Sequence, residues 1–387
     1  MDTITPNTEQ QAALDKIHAW LDDEFMQRRE FVLAGLAGTG KTSLMRLVEG
    51  VAGDRHVHFL APTNKAASVL RSKGIPASTI HSTFYQVVGT DEDRGPVFEF
   101  SGAWASRRHL FVIDEASMID THMLDDLRST EGMFLYVGDH GQLPPVGDDP
   151  GLLRNADVKL EHIHRQAEGN EILAFAHHLR QGGDPFEFRP TGATRDVMLP
   201  AAAKKLKARP NVCMWLCWRN YTRVQINMWL LHEAADRDVG FGMRRPAVVP
   251  VQIRGNYPEH QLYNGEVYNA EGIDWDRRTG HPDSGHLQMA HGEMLHVRFH
   301  PSNWHQEKRS RFGTKFEHGV LADYGFAITV HTSQGSEWER IVVVDEAPES
   351  DAARWRYTAA TRARQQVIWL PFNALPIKAP PIYSGVF

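Results

Sequence analysis

Hydrophobic positions along this chain gather into short continuous runs rather than one long apolar stretch. Phe31–Ala34, Val57–Ala61, Leu110–Ile113 and Phe134–Val137 lie in the first part, and Val212–Trp218, Ile341–Val344 and Gln366–Leu370 in the second. Runs of this length, rich in β-branched and aromatic residues and ended by turn residues or charged, glycine-bearing loops, predict central strands of parallel sheets covered on both faces. Helical patterns fall between them, over Thr8–Phe25, Lys41–Val48, Asn64–Arg71, Asn170–Leu179, Asn220–His232 and Ala352–Thr361. Strand–helix alternation predicts an α/β architecture. The two groups of strands predict two sheet domains, residues 1–155 and residues 156–250 with 320–387.

Two segments break the alternation. Residues 86–106 carry two short runs, Gln86–Val88 and Val97–Phe100, around the polar stretch from Asp91 to Gly95, which predicts a β-hairpin inserted in the first domain. Residues 251–319 are rich in Gly, His, Trp and Tyr, with turn clusters at Asn264-Gly265 and Thr279–Asp283, and predict a small all-β insertion in the second.

Composition then bounds the function. A chain of 387 residues, 42% hydrophobic and 23% charged, is ordinary for a water-soluble protein of two or three domains. No run is long enough to span a bilayer, and residues 1–10 lack a secretion signal. Cys213 and Cys217 share one short apolar segment and are expected as buried, reduced thiols, which places the protein in the cytoplasm. The net charge of −6 gives no general attraction to nucleic acid, yet a local groove can still be basic. The 21 histidines include the pairs His56/His58, His162/His164 and His177/His178, none of which has zinc-like spacing with cysteine.

The chemistry begins at Gly35-Leu-Ala-Gly38-Thr39-Gly40-Lys41-Thr42-Ser43, which meets every required position of the pattern GxxxxGK[ST] between a strand and a helix. Glycines let the backbone wrap phosphates, Lys41 holds the β- and γ-phosphates, and Thr42 ligates magnesium. The complementary acids follow the apolar run 110–113: Asp114 as the magnesium partner and Glu115 as the general base toward water. A second acidic strand end, Asp345-Glu346 after Ile341–Val344, has no accompanying phosphate loop and is expected to be structural, at a sheet edge. One site for ATP and Mg²⁺ is therefore expected.

Further motifs make the chain resemble the superfamily 1 helicases, within the 5′→3′ branch that holds RecD-like and phage Dda-like enzymes. They occur in the family's order over nearly the whole chain. Thr8-Glu9-Gln10-Gln11 looks like the adenine-reading segment. Ala61-Pro62-Thr63-Asn64-Lys65 and Thr79-Ile80-His81-Ser82 are similar to DNA-contacting motifs. Gly138-Asp139-His140-Gly141-Gln142-Leu143-Pro144-Pro145 resembles motif III, where Gln142 couples the γ-phosphate to DNA. Residues 160–166 resemble motif IV, with Arg165 reaching the γ-phosphate. His164 stands where many relatives carry an aromatic that stacks on adenine. Residues 329–337 resemble motif V, with His331, Ser333 and Gln334 toward DNA and Glu337 toward the ribose. Residues 357–363 resemble motif VI, with Arg362 as the arginine finger.

The resemblance implies two RecA-like domains: 1A over 1–155, with the 86–106 hairpin as insertion 1B, and 2A over 156–250 and 320–387, with 251–319 as insertion 2B. It implies an ATP-dependent helicase that moves 5′→3′ on single-stranded DNA as nucleotide binding and hydrolysis close and open the two domains. Its expected partners are single-stranded and forked DNA and single-strand-binding, replication or recombination proteins, with no membrane partner and a monomeric state. Phe98 or Phe100 is the candidate strand-separating wedge, against the alternative that both rings pack the hairpin onto its domain. Trp304, Lys308, Arg309, Arg311 and Lys315 fit either an arm over the DNA or a solvated loop, whereas Lys204, Lys205 and Lys207 are expected on a solvated helix.

Overall fold

The computed structural model describes residues 5–23, 28–91, 95–162, 170–188, 197–198, 213–234, 245–289, 292–301, 304 and 316–375. Arg165, His164, the lysines at 204, 205 and 207 and the basic residues at 308, 309, 311 and 315 lie outside them. The chain folds as two compact units, Met1–Gly89 with Val97–Arg180, and Thr90–Pro96 with Gln181–Phe387.

The first unit opens with helix α1 (Thr8–Asp22), whose start is set by a capping box between Asn7 and Gln10. Its Ala13, Leu14, Ile17 and Leu21 form the buried stripe. The sheet that follows contains β1 (Glu30–Gly35), β2 (His56–Ala61), β3 (Ala77–Thr79), β6 (His109–Ile113), β7 (Met133–Gly138) and β8 (Val158–Leu160), in the order β3-β2-β6-β7-β1-β8. Every pairing in it is parallel. The continuous apolar runs have a direct physical cause. Leu110 and Val112 enter one core with Leu33, Leu135 and Val137, while Phe111 and Ile113 enter the opposite core with Val32, Phe134 and Tyr136. Successive side chains of a strand point to opposite faces, and here both faces are covered.

Helices α2 (Lys41–Val48), α3 (Asn64–Ser72), α4 (Ile80–Phe84), α5 (Thr121–Arg128) and α6 (Glu171–Arg180) complete the unit. The expected hairpin is present as β4 (Tyr85–Asp91) and β5 (Gly95–Phe100), a two-stranded sheet of its own. Its two aromatic candidates part company. Phe100 stacks on Phe84 and meets Tyr85 edge-on against the core, whereas Phe98 is 49% exposed.

In the second unit β9 (Val197–Met198), β10 (Met214–Cys217), β16 (Ala327–Thr329), β17 (Trp338–Asp345) and β18 (Ala363–Pro371) form a parallel sheet in the order β16-β10-β17-β18-β9. The strand ending in Asp345-Glu346 is β17, an interior strand and not the sheet edge that the sequence suggested. Its acids are nonetheless consumed by structure. Glu346 accepts hydrogen bonds from the Trp218 and Arg219 amides (2.7 and 2.8 Å) and the Thr222 hydroxyl (2.7 Å). It thereby satisfies donors at the start of helix α7 (Asn220–Ala234). Asp345 pairs with Arg356 at 3.1 Å and accepts from the Trp369 indole.

The all-β segment is an antiparallel sheet of β11 (Val248–Ile253), β12 (Val267–Trp275), β13 (Pro282–Gln288), β14 (Met294–Arg298) and β15 (Ala322–Tyr324), ordered β14-β13-β12-β11-β15. It thus runs past 251–319 at both ends. Trp304 corrects the reading of a nucleic-acid-facing indole: it is 5% exposed and packs on Phe299, Tyr324 and His281. Helices α8 (Val330–Ser333) and α9 (Ala352–Ala360) complete the unit. Cys213 and Cys217 are free and buried, and burial pushes both thiols up. Among the described residues no helix is long and apolar enough to cross a membrane.

Candidate functional site

In the first unit the parallel register brings the ends of β1, β2, β6 and β7 to one edge, where open α/β sheets hold their ligands. The phosphate loop leaves β1 there, Pro62 follows β2, Asp114 follows β6 and Asp139 follows β7. Gly38 (φ 85°) and Gly40 (φ 78°) take left-handed conformations that a side chain would strain, and Gly40 starts α2 without a side-chain cap. The first amides of α2 are thus left to an anion. A Cβ at Gly35 would lie 2.7 Å from Thr39 Oγ1. Buried Thr39 donates its hydroxyl to the Leu36 carbonyl at 2.9 Å, closing the loop on itself.

The Lys41 ammonium lies folded over this loop. It donates to the Gly35 and Leu36 carbonyls at 2.7 and 3.0 Å and stands 4.0 Å from Asp139. These partners are oxygens, the atom type that a phosphate presents. Asp139 is a site residue to which the sequence reading gave no role. It is 1% exposed and accepts from the Gly141 amide at 2.8 Å, shaping the turn that carries Gln142. The signal lay in its place inside motif III, but its link to Lys41 is a tertiary one.

Asp114 and Glu115 sit in the bend between β6 and a short 3₁₀ turn, Ala116–Met118. Glu115 has φ 52°, a left-handed backbone that costs a non-glycine residue about 1–3 kcal/mol and is held by its surroundings. Gln142 is 7% exposed, and its Oε1 is buried without a hydrogen-bond partner. A buried acceptor at this edge can take a hydrogen bond from a bound water or ligand.

Gln10 is placed beside the loop, and its amide already has work there. Its Oε1 accepts from the Asn7 amide at 3.0 Å, and its Nε2 lies 3.4 Å from the Thr39 and Gly40 carbonyls. Reading a base therefore requires Gln10 to exchange these contacts. Glu9, its neighbour, accepts from the Glu161 and His162 amides at 2.8 and 3.1 Å and so pins the chain as it leaves β8. The sequence offered no sign of that role.

The candidate nucleic-acid residues of this unit lie on the following elements. Thr63 caps α3, accepting from the Ala66 amide at 3.1 Å, with Pro62 and Lys65 partly exposed beside it. Thr79 and Ser82 form the capping box of α4 and present His81 outward. His81 stacks on Tyr85 at 4.8 Å and meets Phe98 edge-on at 5.8 Å, giving an aromatic ledge at the base of the hairpin. Although the residue is exposed, partial desolvation of the ring lowers the His81 pKa, against the opposing charge of Asp120. Pro144 is partly exposed in the Gln142 loop, and Ser43 lies in the first turn of α2.

In the second unit the motif residues are mostly committed to their own fold. Ser333 is buried and donates to the Val330 carbonyl at 2.7 Å, while Gln334 is 4% exposed. His331 is partly exposed, and burial lowers its pKa. Glu337 is exposed and pairs with Arg364 at 2.9 Å. Arg362 is 4% exposed and donates to the Thr358 carbonyl, the Ser336 carbonyl and the Thr361 hydroxyl at 3.0, 3.2 and 3.0 Å. It ties the motif V turn to the end of α9.

Comparison with known proteins follows this division. Residues 5–195 match the family model of an AAA domain, and residues 324–370 match that of a UvrD-like helicase C-terminal domain. An ATP-dependent RecD2 DNA helicase of Deinococcus radiodurans is 29% identical over 378 residues, covering 89% of this chain and 47% of that protein. The chain thus spans about half the length of that relative. An uncharacterised protein, R530, of Acanthamoeba polyphaga mimivirus is 31% identical over 175 residues, 38% of this chain and 35% of that one. Among solved structures, a Pif1 helicase from Bacteroides in complex with ADP-AlF3 and single-stranded DNA matches with TM-score 0.56 at 19% identity, over 95% of this chain and 92% of that one. The Pif1 structure solved for unwinding at forked duplex DNA matches with TM-score 0.57 at 18% identity, with the same coverage. These neighbours share the fold. With the two family models in order along it and the RecD2 relative matching most of it, this chain is similar to superfamily 1 helicases of the RecD-like branch.

Proposed function

We propose that this protein is an ATP-dependent DNA helicase that translocates 5′→3′ on single-stranded DNA and unwinds duplexes. One observation carries the ATPase part: the phosphate loop with Lys41, the Asp114–Glu115 bend and the open acceptor of Gln142 sit at the ends of adjacent parallel strands. Lys41 neutralises phosphate charge, Glu115 takes the proton of the attacking water, and Gln142 orients that water. The hydroxyl of Thr42 and carboxylate of Asp114 are hard oxygen donors of the kind Mg²⁺ prefers, and the bound ion would offset charge on the phosphates. Arg165 and Arg362 are the candidates for stabilising charge on the transferred phosphoryl group, and Glu337 for the ribose. The proposed domains are 1A, with hairpin 86–106 as 1B, and 2A, with 251–319 as 2B, their boundary moved from residue 155 to Arg180 because β8 pairs with β1 and α6 lies in the first unit, acting as a monomer in the cytoplasm. Single-stranded and forked DNA are the proposed partners, together with replication or recombination proteins.

The test is unwinding of duplexes that carry only a 5′ or only a 3′ single-stranded tail. Separation from the 5′ tail alone is the expected result. Separation from the 3′ tail would reverse the polarity, and ATP hydrolysis with neither substrate opened would reduce the protein to a translocase or switch.

Phe98 is the proposed wedge, since its ring is exposed beside His81 while Phe100 is packed. A base–aromatic contact contributes about 1–3 kcal/mol, so Phe98→Ala is expected to lower strands separated per ATP hydrolysed by about five-fold or more. Simultaneous measurement of both rates checks this. An unchanged ratio moves the wedge elsewhere.

A further inference from the structure

His140 stands between Asp139 and Gly141 in the turn that carries Gln142, and the activity proposed above assigns it nothing. Its Nδ1 is buried without a hydrogen-bond partner, as is Oε1 of Gln142 two residues on. The charged groups acting on it are Arg180 on α6, Asp139 itself, Lys159 on β8 and Lys41 on α2. His177, also on α6, faces Arg180 and Asp139 in the same way. Three cations thus oppose a charge on the His140 ring and one anion favours it. Burial first, and then Arg180, hold the imidazole below the ordinary histidine value of 6.5.

Two of the engagements of Asp139 bear on the site. It accepts from the Gly141 amide at 2.8 Å, which closes the turn, and it faces the Lys41 ammonium at 4.0 Å. A neutral ring beside it leaves both intact. An imidazolium there would be a further claimant on the same buried carboxylate, nearer in sequence than either.

We propose that His140 is a positioning residue for the phosphate site: as a neutral ring it leaves Asp139 to Gly141 and Lys41 and so holds Gln142 in place, and on protonation it draws the carboxylate away and releases that turn. The inference rests on the ATPase reading, with His140 acting through Asp139 and touching no reacting atom. The sign follows from the lowered pKa. At neutral pH the ring is uncharged and the turn is set; as pH falls below 6.5 and through the His140 value, the charged form grows and hydrolysis is lost.

The experiment measures kcat for DNA-stimulated ATP hydrolysis between about pH 5 and pH 9, with melting curves at each pH, in the wild type, His140→Asn, His140→Gln and His177→Asn. The readout is the ratio of kcat at about pH 8 to that at about pH 5.5, which is expected to shrink by about five-fold or more in both His140 variants. His177→Asn is expected to keep the wild-type ratio. A wild-type ratio in the folded His140 variants, or equal flattening in His177→Asn, overturns the inference. A wild type that hydrolyses no ATP at any pH sinks the ATPase reading itself, and the inference with it.

Discussion

Lys41→Ala is expected to lower DNA-stimulated ATP hydrolysis by about 10²–10³-fold, the usual loss when one preorganised charge-stabilising donor is removed from a reacting centre. The ammonium lies over the loop 35–40 with two carbonyl partners and a buried carboxylate 4.0 Å away, at the proposed phosphate site. Loss of Lys41 also removes one cation from beside buried Asp139, while the Gly141 amide still donates to it. The variant should therefore stay folded while losing turnover. Phosphate release and a urea titration on the same preparation separate the two effects. Hydrolysis within a factor of about three of wild type would mean that Lys41 does not meet the transferred phosphate.

The largest effect on stability is expected at a buried pair outside the motifs. Arg223 on α7 and Asp323 on β15 form an ion pair of 2.6 Å with side chains 1% and 3% exposed. Asn220 accepts from Arg223 Nε, and Asp323 accepts from the Tyr324 amide, so the remaining polar atoms are also engaged. Breaking such a pair by removing one partner strands a charge in the interior and costs about 3–5 kcal/mol. Arg223→Met should lose this much in urea unfolding, whereas Arg223→Met with Asp323→Leu should recover most of it, because no charge is then left buried. A loss below about 1 kcal/mol in the single variant would show that water reaches the pair.

Local sequence signals are legible without a structure. A phosphate loop needs its glycines, lysine and hydroxyl in one unbroken segment, because the same few backbone amides must wrap one phosphate group. The acid pair must follow an apolar strand directly, so Asp114 and Glu115 announce themselves in the same way. Continuous apolar runs predicted strands buried on both faces, and the two cores that share β6 explain why. The hairpin was equally plain, since its two runs and polar turn are contiguous.

What tertiary structure alone decided is which polar or aromatic side chain meets which distant partner. Asp345 and Glu346 repeat the Asp-Glu pattern that follows β6, and Arg356, Trp369 and the start of α7 mark them as structural. Phe98 and Phe100 lie two residues apart on one strand and so share a face by periodicity, yet Phe84 and Tyr85 cover one ring while the other stays 49% exposed. Trp304 reads as an aromatic beside basic residues until Phe299 and Tyr324 enclose it. Asp139, Glu9 and His140 acquire their parts from Lys41, from the amides past β8 and from Arg180. The physical reason is common to all of them. A motif needs its neighbours in the chain, so sequence alone determines it; desolvation and pairing depend on residues brought together from far along the chain, and only the folded arrangement sets those.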